Sequence, residues 1–121
     1  MRKKKKGKVV IADDCREICE LLQIALGQSG YSVDIVFNGY ELLAYLKKNQ
    51  DVDAVILDLV MPGKGGISVF ETVRSISPAS KLIIYTGHTD YRDSIYGREA
   101  DAFIEKTEGV EKILEILEKL L

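Results

Sequence analysis

Acidic side chains follow two apolar segments that have the composition of buried β-strands. Asp13 and Asp14 come directly after residues 8–12. Asp58 closes residues 53–58, just before a turn segment that contains proline and glycine. Short runs of β-branched residues bounded by turn residues are typical of strands buried on both faces of a parallel sheet. Because ligands bind beyond the carboxyl ends of such strands, we expect these acids to line a site.

Three carboxylates at one sheet edge need a counter-charge if their two strands are neighbours. Adjacent strands lie about 4.8 Å apart. Two carboxylates at about 4 Å repel by roughly 4 kcal/mol at an effective dielectric of about 20, so such a cluster takes up a proton or binds a cation. Since oxygen-only ligands favour a hard ion, the sequence predicts a Mg²⁺ site at Asp13, Asp14 and Asp58.

A hydroxyl and an amine are predicted at the same edge. Thr86 follows the fourth apolar segment, and Lys106 follows the fifth. Phosphoryl transfer to a carboxylate uses this combination, because a metal ion offsets the charge on the phosphoryl oxygens while the amine and the hydroxyl hold the remaining oxygens. The set therefore predicts that one of the carboxylates attacks a phosphoryl group in line.

Each of these residues also has a purely structural interpretation. Asp13 or Asp14 could cap the first helix and Thr86 the fourth, since Asp and Thr are good N-caps. Asp58 could cap the following turn, and Lys106 could be a solvated loop cation. If these residues form no site, all of the structural interpretations must hold at once, and each polar residue must fall at the carboxyl end of a strand by coincidence. The combination therefore favours a functional site.

Strand and helix patterns alternate along the whole chain and provide the framework for this site. Apolar segments predict five strands, at residues 8–12, 31–37, 53–58, 81–85 and 101–105. The alternating pattern of the second is typical of an edge strand, and apolar residues at helical spacing follow each strand. Short loops imply right-handed crossovers and an α/β fold: a doubly wound five-stranded parallel sheet in the order 2-1-3-4-5 with helices on both faces.

Three of the five predicted helices carry further signals. Asn38 and Glu41, three residues apart, predict a capping arrangement at the start of helix two. Helix four, at residues 89–98, has the fewest apolar residues. The last helix has more apolar residues than one contact needs, because Ile116 and Leu120 lie beside its main stripe.

The two cysteines lie four residues apart in the first predicted helix. Cys15 and Cys19 fall on the same side as its apolar stripe. This placement predicts two small core residues rather than a disulfide, and a zinc site would need further ligands that the neighbouring sequence does not offer.

The composition fits one domain without a membrane or nucleic-acid function. The 121 residues, 46% of them hydrophobic and 30% charged, suffice for a single core. No apolar run approaches bilayer length, and a net charge of −2 gives no overall attraction to nucleic acid. The basic residues 2–6 predict a solvated tail over residues 1–7, with the folded domain at 8–121. No signal-peptide core follows them, so we expect a cytoplasmic protein.

Together these motifs resemble the receiver domain of two-component response regulators, over essentially the whole chain from Lys8 to Leu121. The matching residues are the three acids, the turn and loop residues after the central strand, the Thr-Gly pair, and a lysine with an aromatic residue three positions before it: Asp13, Asp14, Asp58, Met61, Pro62, Gly66, Thr86, Gly87, Phe103 and Lys106. The resemblance implies a flavodoxin-like (βα)5 receiver fold and a phosphorylation-dependent signalling switch.

The resemblance also implies roles for the acids. Asp58 would accept a phosphoryl group from a histidine kinase or a histidine phosphotransfer protein. Asp14, Asp58 and the backbone carbonyl of Val60 would bind Mg²⁺ directly, and Asp13 would bind it through water. The protein would catalyse only its own phosphoryl transfer and a slow self-dephosphorylation.

The remaining roles implied by the resemblance concern the switch. Thr86 would hydrogen-bond the phosphoryl group, Lys106 would pair with one of its oxygens, and Phe103 would rotate into the space that Thr86 vacates. Phe103 could equally be an ordinary core aromatic. The face made by helix four, strand five and helix five, including Ile116 and Leu120, would then act on a separate downstream target protein or form a homodimer.

Two residues depart from the family pattern. Thr107 follows Lys106 where the family usually has a proline after a cis bond, and a non-proline cis bond costs about 3 to 4 kcal/mol. The loop is therefore either trans or strained, which leaves the direction of Lys106 open. Val60, two residues after Asp58, cannot orient a water, so we expect slow self-dephosphorylation unless His88 supplies that function.

Three hypotheses about function follow. The first is a single-domain phosphorylatable switch that has no output domain and acts through separate proteins. The second is a receiver-like interaction module that is not phosphorylated. The third is an aspartyl-phosphate phosphatase, but that chemistry usually places a second acid two residues after its nucleophile, whereas Asp13 and Asp14 are adjacent.

Overall fold

The computed structural model describes residues 6–121, so the predicted N-terminal tail lies outside the described residues except at its last two positions. The strands are β1 Gly7–Ala12, β2 Tyr31–Val36, β3 Ala54–Leu57, β4 Lys81–Thr86 and β5 Ala102–Glu105. The helices are α1 Arg16–Gln28, α2 Gly39–Lys48, α3 Gly66–Ile76, α4 Ile95–Glu99 and α5 Val110–Leu120. Two 3₁₀ turns lie at Thr89–Tyr91 and Lys106–Glu108.

The strands form one parallel sheet in the order β2-β1-β3-β4-β5, which confirms the predicted fold. Its central pair is β1 and β3, whose register places Ala12 beside Leu57 at their carboxyl ends. The order reverses between these two strands, because β2 extends the sheet on one side while β4 and β5 extend it on the other. The crevice at this point is where parallel α/β sheets bind ligands.

Apolar residues pack in two clusters, one on each face of the sheet. Alternate residues of β3 divide between them, with Val55 and Leu57 in the first cluster and Ala54 and Ile56 in the second. The first cluster is covered by α2 and α3, and the second by α1 and α5. Because β3 is buried on both faces, it needs the continuous apolar run that the sequence shows.

Local signals set the ends of the helices as predicted. The Asn38 side chain accepts the Glu41 N–H at 2.9 Å, and the Glu41 carboxylate accepts the Phe37 N–H at 2.8 Å, so both residues secure the start of α2. α1 ends at Gln28, and Gly30 then adopts a left-handed conformation with φ of 101°. α3 ends at Ile76, two residues before the proline.

The prediction of one helix at residues 89–98 was wrong. The chain there forms a 3₁₀ turn at Thr89–Tyr91 and then α4, which has only five residues. The backbone at Ser94 is extended, and its side chain accepts the Gly97 N–H, so a new helix begins after this residue. Tyr96 anchors the segment, with its ring 5.3 Å from that of Phe70 in an edge arrangement.

Lys6, the first residue that the structure describes, contacts the last helix at the amino edge of the sheet. β1 begins at Gly7, inside the predicted tail, and the Lys6 ammonium lies 2.7 Å from the Glu118 carboxylate of α5. Ile116 and Leu120 are half-buried against the second core cluster, so they offer less free apolar surface than the sequence suggested. Within residues 6–121, no helix has the length and apolar character required to cross a bilayer.

Candidate functional site

The three predicted acids meet at the carboxyl ends of β1 and β3. Asp13 and Asp58 each follow the last residue of their strand, and the Asp58 N–H donates to the Ala12 carbonyl at 3.0 Å. One carboxylate oxygen from each of Asp13, Asp14 and Asp58 lies within 4.8 Å of the others. Asp13 and Asp58 are buried, whereas Asp14 is exposed to solvent.

Asp58 is held from two sides. The Thr86 hydroxyl, at the end of β4, donates to its Oδ1 at 2.9 Å. The Lys106 ammonium, directly after β5, lies 2.9 Å from its Oδ2 and 2.9 Å from Asp13 Oδ2. The structure therefore brings all the polar side chains predicted for the site together around Asp58, and Lys106 bridges the two buried carboxylates.

The charges in this pocket are unbalanced. Burial raises the pKa of Asp13, while its hydrogen bonds to Lys106 and to the Cys15 N–H act in the opposite direction. Burial by itself would lower the pKa of Lys106, but its hydrogen bonds to Asp13 and Asp58 outweigh that effect and raise it above its ordinary value. Three carboxylates thus face one ammonium, and the oxygen ligands that remain suit a hard divalent cation such as Mg²⁺.

Structural and functional interpretations of the same residues turn out to be compatible. Asp13 Oδ1 accepts the Cys15 N–H at 2.9 Å and so supports the start of α1, while its Oδ2 faces Lys106. Thr86 Oγ1 likewise accepts the His88 N–H at 3.2 Å while donating to Asp58. Each of these two side chains therefore orders a loop and contributes to the pocket at the same time.

The loop after Asp58 passes close to the pocket. The Val60 N–H donates to Asp58 Oδ1 at 3.3 Å, and the Val60 side chain is 42% exposed. Gly66, at the start of α3, lies directly beneath this loop: a Cβ there would overlap the Asp58 carbonyl oxygen and lie 2.9 Å from Leu59 Cα. The absence of a side chain at Gly66 lets the helix approach the backbone of the acid.

The turn that carries Lys106 is trans, since residues 6–121 contain no cis peptide bond. It forms a 3₁₀ turn at Lys106–Glu108, which Glu105 and Glu108 close reciprocally through a capping box. The Tyr85 hydroxyl donates to the Lys106 carbonyl at 3.4 Å. With a trans bond to Thr107, the Lys106 side chain still points into the pocket. The proline that usually follows the lysine in the receiver domains that this sequence resembles is thus not needed for that direction.

Sequence reasoning did not identify Arg92. Its guanidinium lies 2.9 Å from Glu105, 3.6 Å from Glu108 and 4.9 Å from the centre of the half-buried Phe103 ring. Glu105 and Glu108 have the spacing of a capping box, but the first position of that motif is normally Ser or Thr, so the sequence did not indicate it. Arg92 itself lies within the segment predicted as one regular helix, where the sequence gives no indication of a partner.

Both cysteines are free, and they differ in burial. Cys19 is buried, and its Sγ donates to the Asp13 carbonyl at 3.3 Å. Burial raises the pKa of the Cys19 thiol to about 12. Cys15, predicted as a second core residue, is half-buried at the start of α1 and belongs to neither core cluster.

We expect Cys15 of the native protein to react rapidly with a disulfide reagent at neutral pH and Cys19 to react only after denaturation. The reactive species is the thiolate, and burial both shields Cys19 and raises the pKa of its thiol. A Cys15→Ser variant should lose the rapid phase, and a Cys19→Ser variant should keep it. Equal rates for the two thiols in the native protein would contradict the observed burial.

Comparisons with known proteins support one family. The family model for the response regulator receiver domain matches residues 9–118. The chain is 30% identical over 109 residues to the transcriptional regulatory protein DltR of Streptococcus agalactiae, covering 88% of this chain and 48% of that protein. It is 29% identical over 116 residues to the response regulator MprA of a Mycobacterium species, covering 94% of this chain and 50% of that protein. The chain thus spans about half the length of these curated relatives.

Solved structures show the same similarity over nearly whole chains. The response regulator protein TrrA of Thermotoga maritima, in complex with Mg²⁺-BeF, is 32% identical, with a TM-score of 0.87 over 95% of this chain and 99% of that one. TrrA in complex with the histidine kinase ThkA is 32% identical, with a TM-score of 0.85 over 95% of this chain and 98% of that one. A CheY-like receiver domain protein of Methanospirillum hungatei is 29% identical, with a TM-score of 0.85 over 98% of this chain and 94% of that one.

Proposed function

The chain belongs to the response regulator receiver domain family, and we propose that it is a phosphorylation-dependent switch in which Asp58 is the phosphoryl acceptor. The observation that carries this proposal is the position of the Asp58 carboxylate, which lies at 2.9 Å from both the Thr86 hydroxyl and the Lys106 ammonium, beside two further acids. A buried acid held by two donors and flanked by potential metal ligands is arranged to attack phosphorus and to support the charge that develops.

The reaction transfers one phosphoryl group. An Asp58 carboxylate oxygen forms the new bond to phosphorus, and the bond between phosphorus and the donor's histidine nitrogen breaks, leaving its electron pair on that nitrogen. Thr86 and Lys106 already donate to the carboxylate oxygens, so oxygens of the bound phosphoryl group can replace those as acceptors. Mg²⁺, held by Asp14, Asp58 and the Val60 carbonyl, with Asp13 acting through water, would neutralise phosphoryl charge when bound.

The acyl phosphate would then change the surface of the domain through Thr86 and Phe103. Thr86 is fully buried and ends the strand that leads into the broken segment before α4. Phe103 is half-buried on the neighbouring strand. A shift of Thr86 toward the phosphoryl group would let Phe103 turn inward, which alters the face made by α4, β5 and α5.

The partners proposed are separate proteins. Phosphate would come from a histidine kinase or a histidine phosphotransfer protein, as supported by the structure of TrrA with the kinase ThkA. The α4-β5-α5 face would bind a downstream target or a second copy of the domain. We propose that the receiver domain begins at Gly7, where β1 starts, rather than at the predicted Lys8, and that it extends to Leu121. We also propose a cytoplasmic protein whose catalysis is limited to its own phosphoryl transfer and dephosphorylation.

The proposal is tested by incubating the protein with acetyl phosphate and Mg²⁺ and measuring the intact mass. We expect a gain of one phosphoryl group that is absent in Asp58→Asn and retained in Asp90→Asn, a matched change at an exposed acid. No gain in the wild type would favour the interaction module that is not phosphorylated. A gain that persists in Asp58→Asn would exclude Asp58 as the acceptor.

The phosphorylated protein should lose its phosphoryl group slowly. Val60 lies at the solvent side of Asp58 and offers no hydrogen-bonding group in its side chain, so no residue there orients an attacking water. A Val60→Asn variant should shorten the lifetime by about fivefold or more, because its amide can position that water. The lifetime is measured by intact mass after the phosphodonor is removed.

Leu21→Asn serves as the control for this prediction, because it places the same amide at an exposed apolar position of α1. It should leave the lifetime unchanged. A wild-type lifetime of seconds would show that another group, such as His88, orients the water. Equal lifetimes in the wild type and Val60→Asn would show that the residue at position 60 does not control the hydrolysis.

A further inference from the structure

We propose that Arg92 is a positioning residue that fixes the turn bearing Lys106 and thereby connects the segment after β4 to the acceptor site. Its effect on phosphorylation rests on the function proposed above, whereas its effect on the turn does not. The inference starts from three contacts of one side chain, which reach both carboxylates of the turn and the Phe103 ring before it.

The first step concerns the two carboxylates. Glu108 Oε2 accepts the Glu105 N–H at 2.8 Å, and the Glu105 side chain accepts the Glu108 N–H in return. This reciprocal arrangement closes the turn whose first residue is Lys106, but it also brings two like charges together. The Arg92 guanidinium lies beside both, and its planar set of donors suits the binding of more than one carboxylate oxygen.

The second step concerns Phe103. The guanidinium carbon of Arg92 lies 4.9 Å from the centre of its ring, within the range of a cation–π contact. Phe103 is three residues before Lys106 on the same strand. Arg92 therefore holds β5 at the aromatic ring and at the turn that follows, so both ends of this short segment are tied to one side chain.

The third step closes a ring of contacts through the acceptor. Thr86 and Lys106 bind opposite oxygens of Asp58. Arg92 lies six residues after Thr86 and binds the residue directly before Lys106. Two sets of contacts therefore connect the segment after Thr86 to the Lys106 turn. One passes through Asp58, and the other passes through Arg92 and Glu105.

The exposure of these side chains indicates where the effect should appear. Arg92 is 44% exposed, Glu105 32% and Glu108 37%. Ion pairs this accessible to water contribute little to global stability. The consequence of removing Arg92 should therefore be a loss of order in the Lys106 turn rather than unfolding of the domain.

The test is a double-mutant cycle in the full chain with acetyl phosphate as the donor and Mg²⁺ present. Arg92→Gln should slow phosphorylation roughly 5- to 10-fold in the wild-type background. In a Lys106→Gln background it should change the rate by less than about twofold, since a residue that acts through Lys106 has nothing left to position.

Arg74→Gln is the matched control. Arg74 also pairs with an acid beside β5, Asp101, and lies 6.0 Å from an aromatic ring, that of Phe70, but at the other end of the strand. It should change the rate by less than about twofold. Equal effects of Arg92→Gln and Arg74→Gln, or an Arg92→Gln effect that persists without Lys106, would overturn the proposal.

A measurement without phosphorylation separates this proposal from the proposed function. Backbone ¹⁵N relaxation should show lower order parameters at residues 106–108 in Arg92→Gln and wild-type values in Arg74→Gln. If the wild type accepts no phosphoryl group, the proposed function fails, while the relaxation result still decides whether Arg92 orders the turn. Unchanged order parameters in Arg92→Gln would refute its positioning role.

Discussion

Replacing Lys106 by glutamine is expected to slow phosphorylation by acetyl phosphate on the order of 100-fold, the usual consequence of removing one preorganised charged donor from a developing anion. Lys106 is the only cation in contact with Asp58 within residues 6–121, and its ammonium lies 2.9 Å from the Oδ2 of that acid. Glutamine keeps much of the length and a donor but removes the charge. The rate is measured by intact mass at saturating Mg²⁺.

The same variant should bind Mg²⁺ several-fold more tightly. In the wild type the Lys106 ammonium neutralises part of the charge on Asp13 and Asp58, so it opposes a second cation in the same pocket. Titration calorimetry measures this affinity, and Lys119→Gln, at an exposed position of α5, is the control for loss of one positive charge. A Lys106→Gln variant with wild-type rate and affinity would show that the contact has no functional role.

The position of Lys106 illustrates why much of the site was accessible from the sequence. In a parallel sheet all strands end at one edge, so residues that follow different strands meet there whatever their separation along the chain. Asp13, Asp58 and Lys106 needed only the correct strand order, and the continuous apolar run of β3 marks it as central. The prediction did not depend on the exact ends of the strands, several of which were misplaced by one residue.

The parts that could not be predicted are those set by contacts between distant side chains. Residues 89–98 have a composition compatible with a helix, but the extended backbone at Ser94 divides them, and Tyr96 then packs against Phe70. Arg92 acquires its partners only because this segment is folded back against β5. Helical periodicity carries no information about such contacts.

The sequence also did not indicate that one residue can have a structural and a functional role at the same time. Sequence reasoning treated Asp13 as either a helix cap or a site acid, and Thr86 as either a cap or a site hydroxyl. The structure shows that the two oxygens of Asp13 face different partners and that the Thr86 hydroxyl both accepts and donates. A choice between one structural and one functional role is therefore too narrow where a strand end and a loop meet.

Gly66→Ala is expected to lower the free energy of unfolding by roughly 3 kcal/mol, at the upper end of overpacking effects. The new Cβ would overlap the Asp58 carbonyl oxygen and lie 3.0 Å from its carbonyl carbon, and these are backbone atoms that no rotamer change can remove. A domain of this size typically has about 5 to 15 kcal/mol of stability, so the change is a large fraction of the total. Urea unfolding followed by circular dichroism measures it.

Gly27→Ala provides the opposite control, because no atom beyond the neighbouring backbone of its own helix lies within 4 Å of a Cβ at that position. Alanine also favours the helix by about 1 kcal/mol over glycine. The stability of this variant should equal or exceed that of the wild type. The Gly66→Ala protein that remains folded must displace either α3 or the backbone of Asp58, so it should also accept a phosphoryl group more slowly. If it instead matched Gly27→Ala in both stability and rate, α3 would not be held against Asp58 as closely as the structure indicates, and the acid would owe its position to Thr86 and Lys106 alone.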